Sequence, residues 1–589
     1  MPSLLDETIL DHLRFLYAEQ APQVAKQLAQ VVQNRREQLA AQRRPPLDQR
    51  DAVLIAYADQ VQEDARLRQA PSAPPEPDAL APEPAPLEML RRFLHQVELA
   101  GVLSTVHLLP FFPYSSDDGF SVIDYYQVHP ELGTWDHVAR LGRSFQLMFD
   151  LVINHISRHS AWFQGYLRGE EPFRRYFIEM DPGADLSQVV RPRSLPLLTQ
   201  VKTSRGPRWV WTTFSPDQVD LNYHEPQLLV QMIDVALFYL AQGARILRLD
   251  AIAYLWKELG TPCIHLPQTH RVVKLLRALV DRFAPGAVLL TETNVPHREN
   301  VSYFGQGDEA HMVYQFSLPP LLLDAVLHQD PRPLRRWLLQ LEPPPPGCTF
   351  FNFTASHDGV GVRPLEGLVN QDRFARLIEA VKQRGGHVST RRLPDGSDAP
   401  YELNITYFDA VGEPGISTQE HVRRFLLTQA VMLALQGVPG IYFHSLVATP
   451  NYHQGVQQRG YARAINRRKY GYRELLALLA PPQGAPRLVL EGFRRLLAAR
   501  GKQRAFSPWA TQRVLEGTPE SVLALLRRCE ESGQQALVAA NFSAHPARLE
   551  LPRPRGEPWR DMLSGRSVPG SLELEGFGFC YLDQGPPAA

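Results

Sequence analysis

The chain has 589 residues, 44% of them hydrophobic, and its 62 basic and 62 acidic side chains cancel to a formal net charge of zero. That length supports a large core and a second domain, and the charge balance argues against nucleic acid or an anionic membrane surface as partner. No uninterrupted apolar run reaches about 18 residues, no basic stretch followed by an apolar one opens the chain, and Cys263, Cys348, Cys529 and Cys580 show neither metal nor disulfide spacing. The reading is a cytoplasmic protein with buried free thiols and no membrane span.

In chain order, Leu4, Leu5, Ile9, Leu13 and Leu16 recur at helical spacing, and the pattern resumes from Val24 to Leu39. Residues 1–50 are therefore expected to form two amphipathic helices packed on the main domain. The apolar run 52–57 predicts a buried strand, and the Pro-, Ala- and Glu-rich stretch 70–87 a flexible surface excursion. Further apolar strands are predicted at 106–109, 145–153, 246–252, 288–293, 312–316, 349–354 and 440–446, with helical stretches between most of them, as at 226–241, 270–282 and 421–435. Eight strand–helix alternations predict an α/β fold, a (β/α)8 TIM barrel with its reactive groups at the C-terminal ends of the strands. The connections 156–220 and 359–416 are too long for plain loops and are expected to be inserted subdomains that build a pocket. From about 505, short strands at 522–526, 536–540, 547–551 and 571–582 predict a C-terminal antiparallel β domain. The expected plan is a helical extension over 1–50, a barrel over 51–504 and a β domain over 505–589.

Several of these strands end in polar groups: Asp150 with Asn154 and His155, Arg248 with Asp250, Glu292, and His357 with Asp358. Taken singly, each has a bland account. An Arg–Asp pair two residues apart satisfies a structural ion pair, an aspartate after a strand caps a helix, and a lone histidine sits in a core. Together they place acids and histidines on one small circle, where burying three carboxylates costs several kcal/mol unless they are paired or used. Three carboxylates with an arginine suit glycosyl transfer. One attacks the anomeric carbon, one kept protonated serves the leaving oxygen, and one stabilises positive charge on the ring.

These residues resemble the four signature regions of the α-amylase superfamily of retaining α-glycoside enzymes. The resemblance implies Asp250 as nucleophile, Glu292 as general acid/base and Asp358 as third carboxylate. It further implies Arg248 supporting Asp250, with His155 and His357 on sugar hydroxyls. Asn154 borders a calcium site in related amylases, but no cluster of oxygen ligands stands out here, and no metal or other cofactor is expected. The segments Leu109-Pro110-Phe111-Phe112, Asp117-Asp118-Gly119-Phe120, Gln315-Phe316-Ser317 and Arg463-Ala464-Ile465-Asn466-Arg467 narrow the resemblance, over roughly 51–500, to the sucrose-phosphorylase-like subgroup. In that subgroup Asp117 and Arg463 would pair at the floor of the glucose site, and Phe120, Phe214, Gln218 and Tyr254 would line it. Arg191 and Arg193 would help hold inorganic phosphate as co-substrate, with Arg391 and Arg392 as further candidates for phosphate or acceptor.

The subgroup implies phosphorolysis of a small α-glucoside to α-glucose 1-phosphate. The segments 117–125, 291–297 and 400–405 and the helical extension look most like the glucosylglycerate phosphorylase branch. The alternatives are a sucrose, glucosylglycerol or sucrose 6-phosphate phosphorylase, an α-glucoside hydrolase, or a non-catalytic amylase-fold binding protein. A monomer or homodimer is expected.

Overall fold

The structure, a computed structural model, describes residues 4–65, 84–192, 195–392, 397–553 and 558–584. Eight parallel strands close into a barrel: β1 (Val53–Ala56), β2 (Thr105–Leu108), β3 (Gln146–Leu151), β4 (Ala244–Leu249), β5 (Val288–Thr291), β6 (Met312–Tyr314), β7 (Thr349–Phe353) and β8 (Val438–Tyr442). Each pairs with its sequence neighbour, and β8 returns to β1 with Val53 opposite Gly440. Nearly every residue in these strands is buried. A parallel strand is covered on both faces, and this is why the sequence shows unbroken apolar runs instead of alternation. The eighth strand departs from expectation. It ends at Tyr442, and Phe443–Leu446, equally buried, turn into a short helix.

The expected N-terminal helices are α1 (Glu7–Tyr17) and α2 (Ala21–Ala40). They pack on the barrel helices α3 (Pro226–Ala241) and α4 (Pro267–Phe283). Arg35 pairs with Asp234 at 2.9 Å, the Tyr17 hydroxyl donates to the Tyr223 carbonyl, and Arg271 lies 4.2 Å over the Phe15 ring. The Pro-rich stretch expected as an excursion falls outside the described residues as far as 83. Its end belongs instead to the helix Pro86–Gln96, which proline starts at its first turn.

The two long connections carry structure of their own. The first is bounded by an antiparallel pair, His155–Ser157 with Gln218–Asp220, and holds the hairpin Leu198–Thr203/Gly206–Trp211. The second holds a three-stranded sheet in the order Val360–Gly361, Asp398–Asn404, His387–Arg392. Both rise from the C-terminal ends of the barrel strands.

Beyond the barrel, a six-stranded sheet contains Thr511–Val514, Val522–Arg528, Gln535–Asn541, Phe579–Gln584, Trp559–Asp561 and Ser567–Val568, and a separate pair joins Ala547–Glu550 to Ser571–Leu574. The single strand expected at 571–582 is thus two. The chain turns between them at Gly576, where a side chain would collide with the Ala544 carbonyl, and at Phe577, whose φ is +53°. Two buried guanidiniums lie near the junction with the barrel, Arg527 on this sheet and Arg500 on the helix Ala485–Lys502 that leads to it. Arg527 donates to the carbonyls of Ala434 (2.7 Å) and Ser507 (2.8 Å), and Arg500 to those of Leu433 (3.1 Å) and Asp51 (2.9 Å).

Candidate active site

A cavity of about 350 Å³ opens at the C-terminal ends of the barrel strands, walled by strand ends and by both insertions. Arg248, next to last in β4, organises it. Its Nη1 donates to Asp150 Oδ1 (2.5 Å) and to Asp250 Oδ1 (2.8 Å), its Nε to the Tyr314 hydroxyl (3.2 Å), and its Nη2 lies 3.8 Å from Glu292 Oε2. Asp150 is held from the other side by His107 at 2.7 Å. The chain turns sharply after Asp250. Ala251 has φ +48°, and this aims its N–H at Glu292 Oε2, 3.1 Å away.

The two carboxyls on either side of Arg248 differ. Burial pushes the Glu292 carboxyl up to about 7, helped by the negative charges of Asp250 and Asp358. Burial raises the Asp250 carboxyl as well, against the pull of Arg248. Asp250 alone has a direct guanidinium hydrogen bond, and the guanidinium stands a full ångström further from Glu292. The single proton of the pair therefore belongs on Glu292. Asp358 differs from both: burial opposes its charge, yet the guanidiniums of Arg463 at 2.5 Å and Arg467 at 3.5 Å hold its carboxyl far below the usual range. His357 is pushed down to about 3, chiefly by burial, and stays neutral, its ring stacked on Phe120 at 4.7 Å.

The remaining residues singled out in the sequence fall as follows. His155 Nε2 lies 2.9 Å from the Phe120 carbonyl and 3.2 Å from the Gln218 amide, whose nitrogen also reaches Asp117 at 3.4 Å. Phe214 packs on His155, and Tyr254 stands edge-on behind Phe214, off the cavity wall. The expected Asp117–Arg463 pair is not formed. Arg463 instead grips Asp358 and, with two bonds of 2.9 and 2.6 Å, Glu402. The partner of the paired aspartates is Arg467, 2.7 Å from Asp118 and 3.9 Å from Asp117. Left-handed backbone at both Asp117 (φ +53°) and Asp118 (φ +48°) turns their side chains apart, so that Asp118 takes Arg467, Arg459 and the Tyr461 hydroxyl.

Of the arginines expected to hold phosphate or acceptor, neither Arg191 nor Arg391 is on the wall. Arg191 is exposed and bonds the Leu195 carbonyl, Arg193 lies outside the described residues, and Arg391 pairs with Glu366 at 3.2 Å. Of Arg392 only the backbone, ending the strand His387–Arg392, is described. Conversely, Glu402, Tyr401, Asn294, Tyr314 and His107 line the cavity without having been singled out. Glu402 sits in an ordinary alternating strand segment, and only its charge at an inward position could have marked it.

Behind the site, the Lys257 ammonium lies 2.6 Å from Asp220 and 2.8 Å from Asn154 Oδ1, fully buried. Asp220 also accepts the backbone N–H and the hydroxyl of Thr213. Among the described residues no group of three His, Cys, Asp or Glu side chains could hold a metal ion.

Residues 98–330 match the α-amylase catalytic domain model, and 512–580 the maltogenic amylase C-terminal domain model. A glucosylglycerate phosphorylase from Spirochaeta thermophila is 50% identical over 500 residues, 85% of this chain and 82% of that one. The chain belongs to the α-amylase family. Within it, a sucrose phosphorylase from Agrobacterium vitis stands further off, at 31% identity over 66% of this chain and 81% of its own. The fold is shared with the crystal structure of sucrose 6F-phosphate phosphorylase from Thermoanaerobacter thermosaccharolyticum, with a TM-score of 0.70, 23% identity, and coverage of 84% of this chain and 94% of that one.

Proposed function

We propose that this α-amylase family member is a retaining α-glucoside phosphorylase whose substrate is 2-O-α-glucosylglycerate. The observation that carries the chemistry is the asymmetry around Arg248, with one carboxylate bonded to the guanidinium and the other left near neutrality. Asp250 attacks the anomeric carbon, the bond to the glycerate oxygen breaks, and that oxygen takes the proton from Glu292. The resulting β-glucosyl ester on Asp250 is then attacked by a phosphate oxygen, with the Glu292 carboxylate accepting the phosphate proton. Two inversions give net retention and α-glucose 1-phosphate, and Glu292 ends protonated as it began. Asp358, ionised beside Arg463, faces the positive charge that grows on the ring. His155 and His357 sit where sugar hydroxyls would lie.

The choice of glycerate rests on the 50% identity to a glucosylglycerate phosphorylase against 31% to a sucrose phosphorylase. Four buried, unpaired cysteines support a reducing, cytoplasmic setting. The deciding experiment is product analysis with glucosylglycerate, glucosylglycerol and sucrose, each with and without phosphate. Glucose 1-phosphate formed fastest from glucosylglycerate, and only with phosphate, is the expected result. Free glucose at a comparable rate without phosphate would establish a hydrolase instead.

A further inference from the structure

A glycerate leaving group carries a carboxylate, and a carboxylate entering a water-poor cavity needs a cation that is not already committed. Among the described residues, the arginines on the wall are committed. Arg248 serves Asp150 and Asp250, Arg463 serves Asp358 and Glu402, and Arg467 serves Asp118. One guanidinium beside the wall is not. Arg363 follows the two-residue strand Val360–Gly361, both of whose residues line the cavity, and begins the short helix Arg363–Leu365. Its Nε is buried without a hydrogen-bond partner, and among the described residues no ion pair or hydrogen bond holds the guanidinium. Glu366, three residues on, is taken by Arg391 at 3.2 Å.

The backbone fixes where Arg363 stands. The N–H of Val362 donates to the carbonyl of Tyr401 (3.0 Å), a wall residue, and a Cβ on Gly361 would come within 2.8 Å of the Asn294 amide. Asn294 is also on the wall, and its side-chain oxygen is buried with no donor. Asn294 stands two residues beyond Glu292, so the stretch that leads into Arg363 borders the Glu292 side of the cavity. An uncommitted guanidinium two residues beyond Gly361 and an unsatisfied amide oxygen packed against Gly361 match the carboxylate and hydroxyl of a short hydroxy acid.

We propose that Arg363 is the residue that recognises the carboxylate of the acceptor, with Asn294 beside it taking a hydroxyl. This assignment rests on the glycerate reading above and takes the acceptor role from Arg391, which is paired with Glu366. Arg363 sets specificity and takes no part in bond making.

The test compares Arg363→Gln and Arg363→Lys with the wild type, after circular dichroism and thermal melts establish that each is folded. Phosphorolysis is measured on glucosylglycerate and on 4-nitrophenyl α-glucoside, and synthesis from glucose 1-phosphate with glycerate or glycerol. For Arg363→Gln the KM for glucosylglycerate and for glycerate should rise roughly 30- to 100-fold, as expected for a lost charge-assisted pair, with partial recovery in Arg363→Lys. The KM for phosphate and kcat/KM on the uncharged glucoside should stay within about threefold, less than one such bond is worth. An unchanged KM for glycerate, an equal loss on charged and uncharged acceptors, or a rise confined to phosphate overturns the assignment. A wild type that turns over glucosylglycerate beside an unaffected Arg363→Gln removes this assignment alone. A wild type inert on glucosylglycerate removes the glycerate reading and this one with it.

Discussion

At the scale of single residues, the site works because one guanidinium divides two acids unequally. Burial raises Glu292 from its ordinary 4.5 to about 7, so the folded protein binds that proton more tightly than the unfolded chain does. Folding is therefore penalised as pH climbs from about 4.5 through about 7, by roughly 3 kcal/mol once the group is ionised. Glu292→Gln removes a charge that the fold holds at a cost. Its melting temperature should exceed that of the wild type at pH 8, with the gap closing toward pH 4, in parallel thermal melts. Its residual kcat/KM, reduced about 10²- to 10⁴-fold by loss of the proton donor, should lack the fall above pH 7 expected of the wild type. The sequence made this centre largely legible, because Asp250 and Glu292 directly follow apolar strands, Asp150 stands near the end of a third and Asp358 comes shortly after a fourth. It did not reveal that Glu402 shares Arg463 with Asp358, since Glu402 lies on an inserted strand whose inward face cannot be known before the insertion docks. Nor did it separate Asp117 from Asp118, because the left-handed backbone that decides which one meets Arg467 leaves no mark in composition.

At the scale of elements, all eight barrel strands could be read from the chain because parallel strands bury both faces. The same blindness to face explains the errors. The apolar run 440–446 continues past β8 into a helical turn, as buried strand and buried helix look alike over a few residues. Thr511–Val514 and Trp559–Asp561, polar and partly exposed, carried no apolar signal. The first insertion is tied to the barrel by Lys257, whose ammonium occupies the centre between Asp220 and Asn154. Lys257→Met leaves the Asp220 carboxylate buried without its cation and should destabilise the fold by about 3–5 kcal/mol. Adding Asp220→Asn should recover part of that loss in the same denaturant titration. Because a side chain supplies the positive charge, chelator should shift neither the melting temperature nor the activity of the wild type.

At the scale of the whole molecule, the C-terminal sheet is held to the barrel by polar bonds as well as by apolar packing. Arg527 reaches from the strand Val522–Arg528 to the carbonyls of Ala434, Ser507 and Ala510, and burial lowers its guanidinium to about 9. Arg527→Met leaves these carbonyls unpaired and should cost about 2–4 kcal/mol. A lower melting temperature with unchanged turnover at 25 °C is the expected outcome of calorimetry and assay together, since no residue of that strand touches the cavity.

The four cysteines give the folded molecule a further property. Cys263 and Cys348 lie in the barrel and its loops, Cys529 and Cys580 in the C-terminal sheet, and each is less than 9% exposed. An alkylating reagent thus finds no accessible sulfur until part of the chain opens. Two thiols report on each half, so the order in which they react would tell which half lets go first, an unfolding clock already built into the native chain.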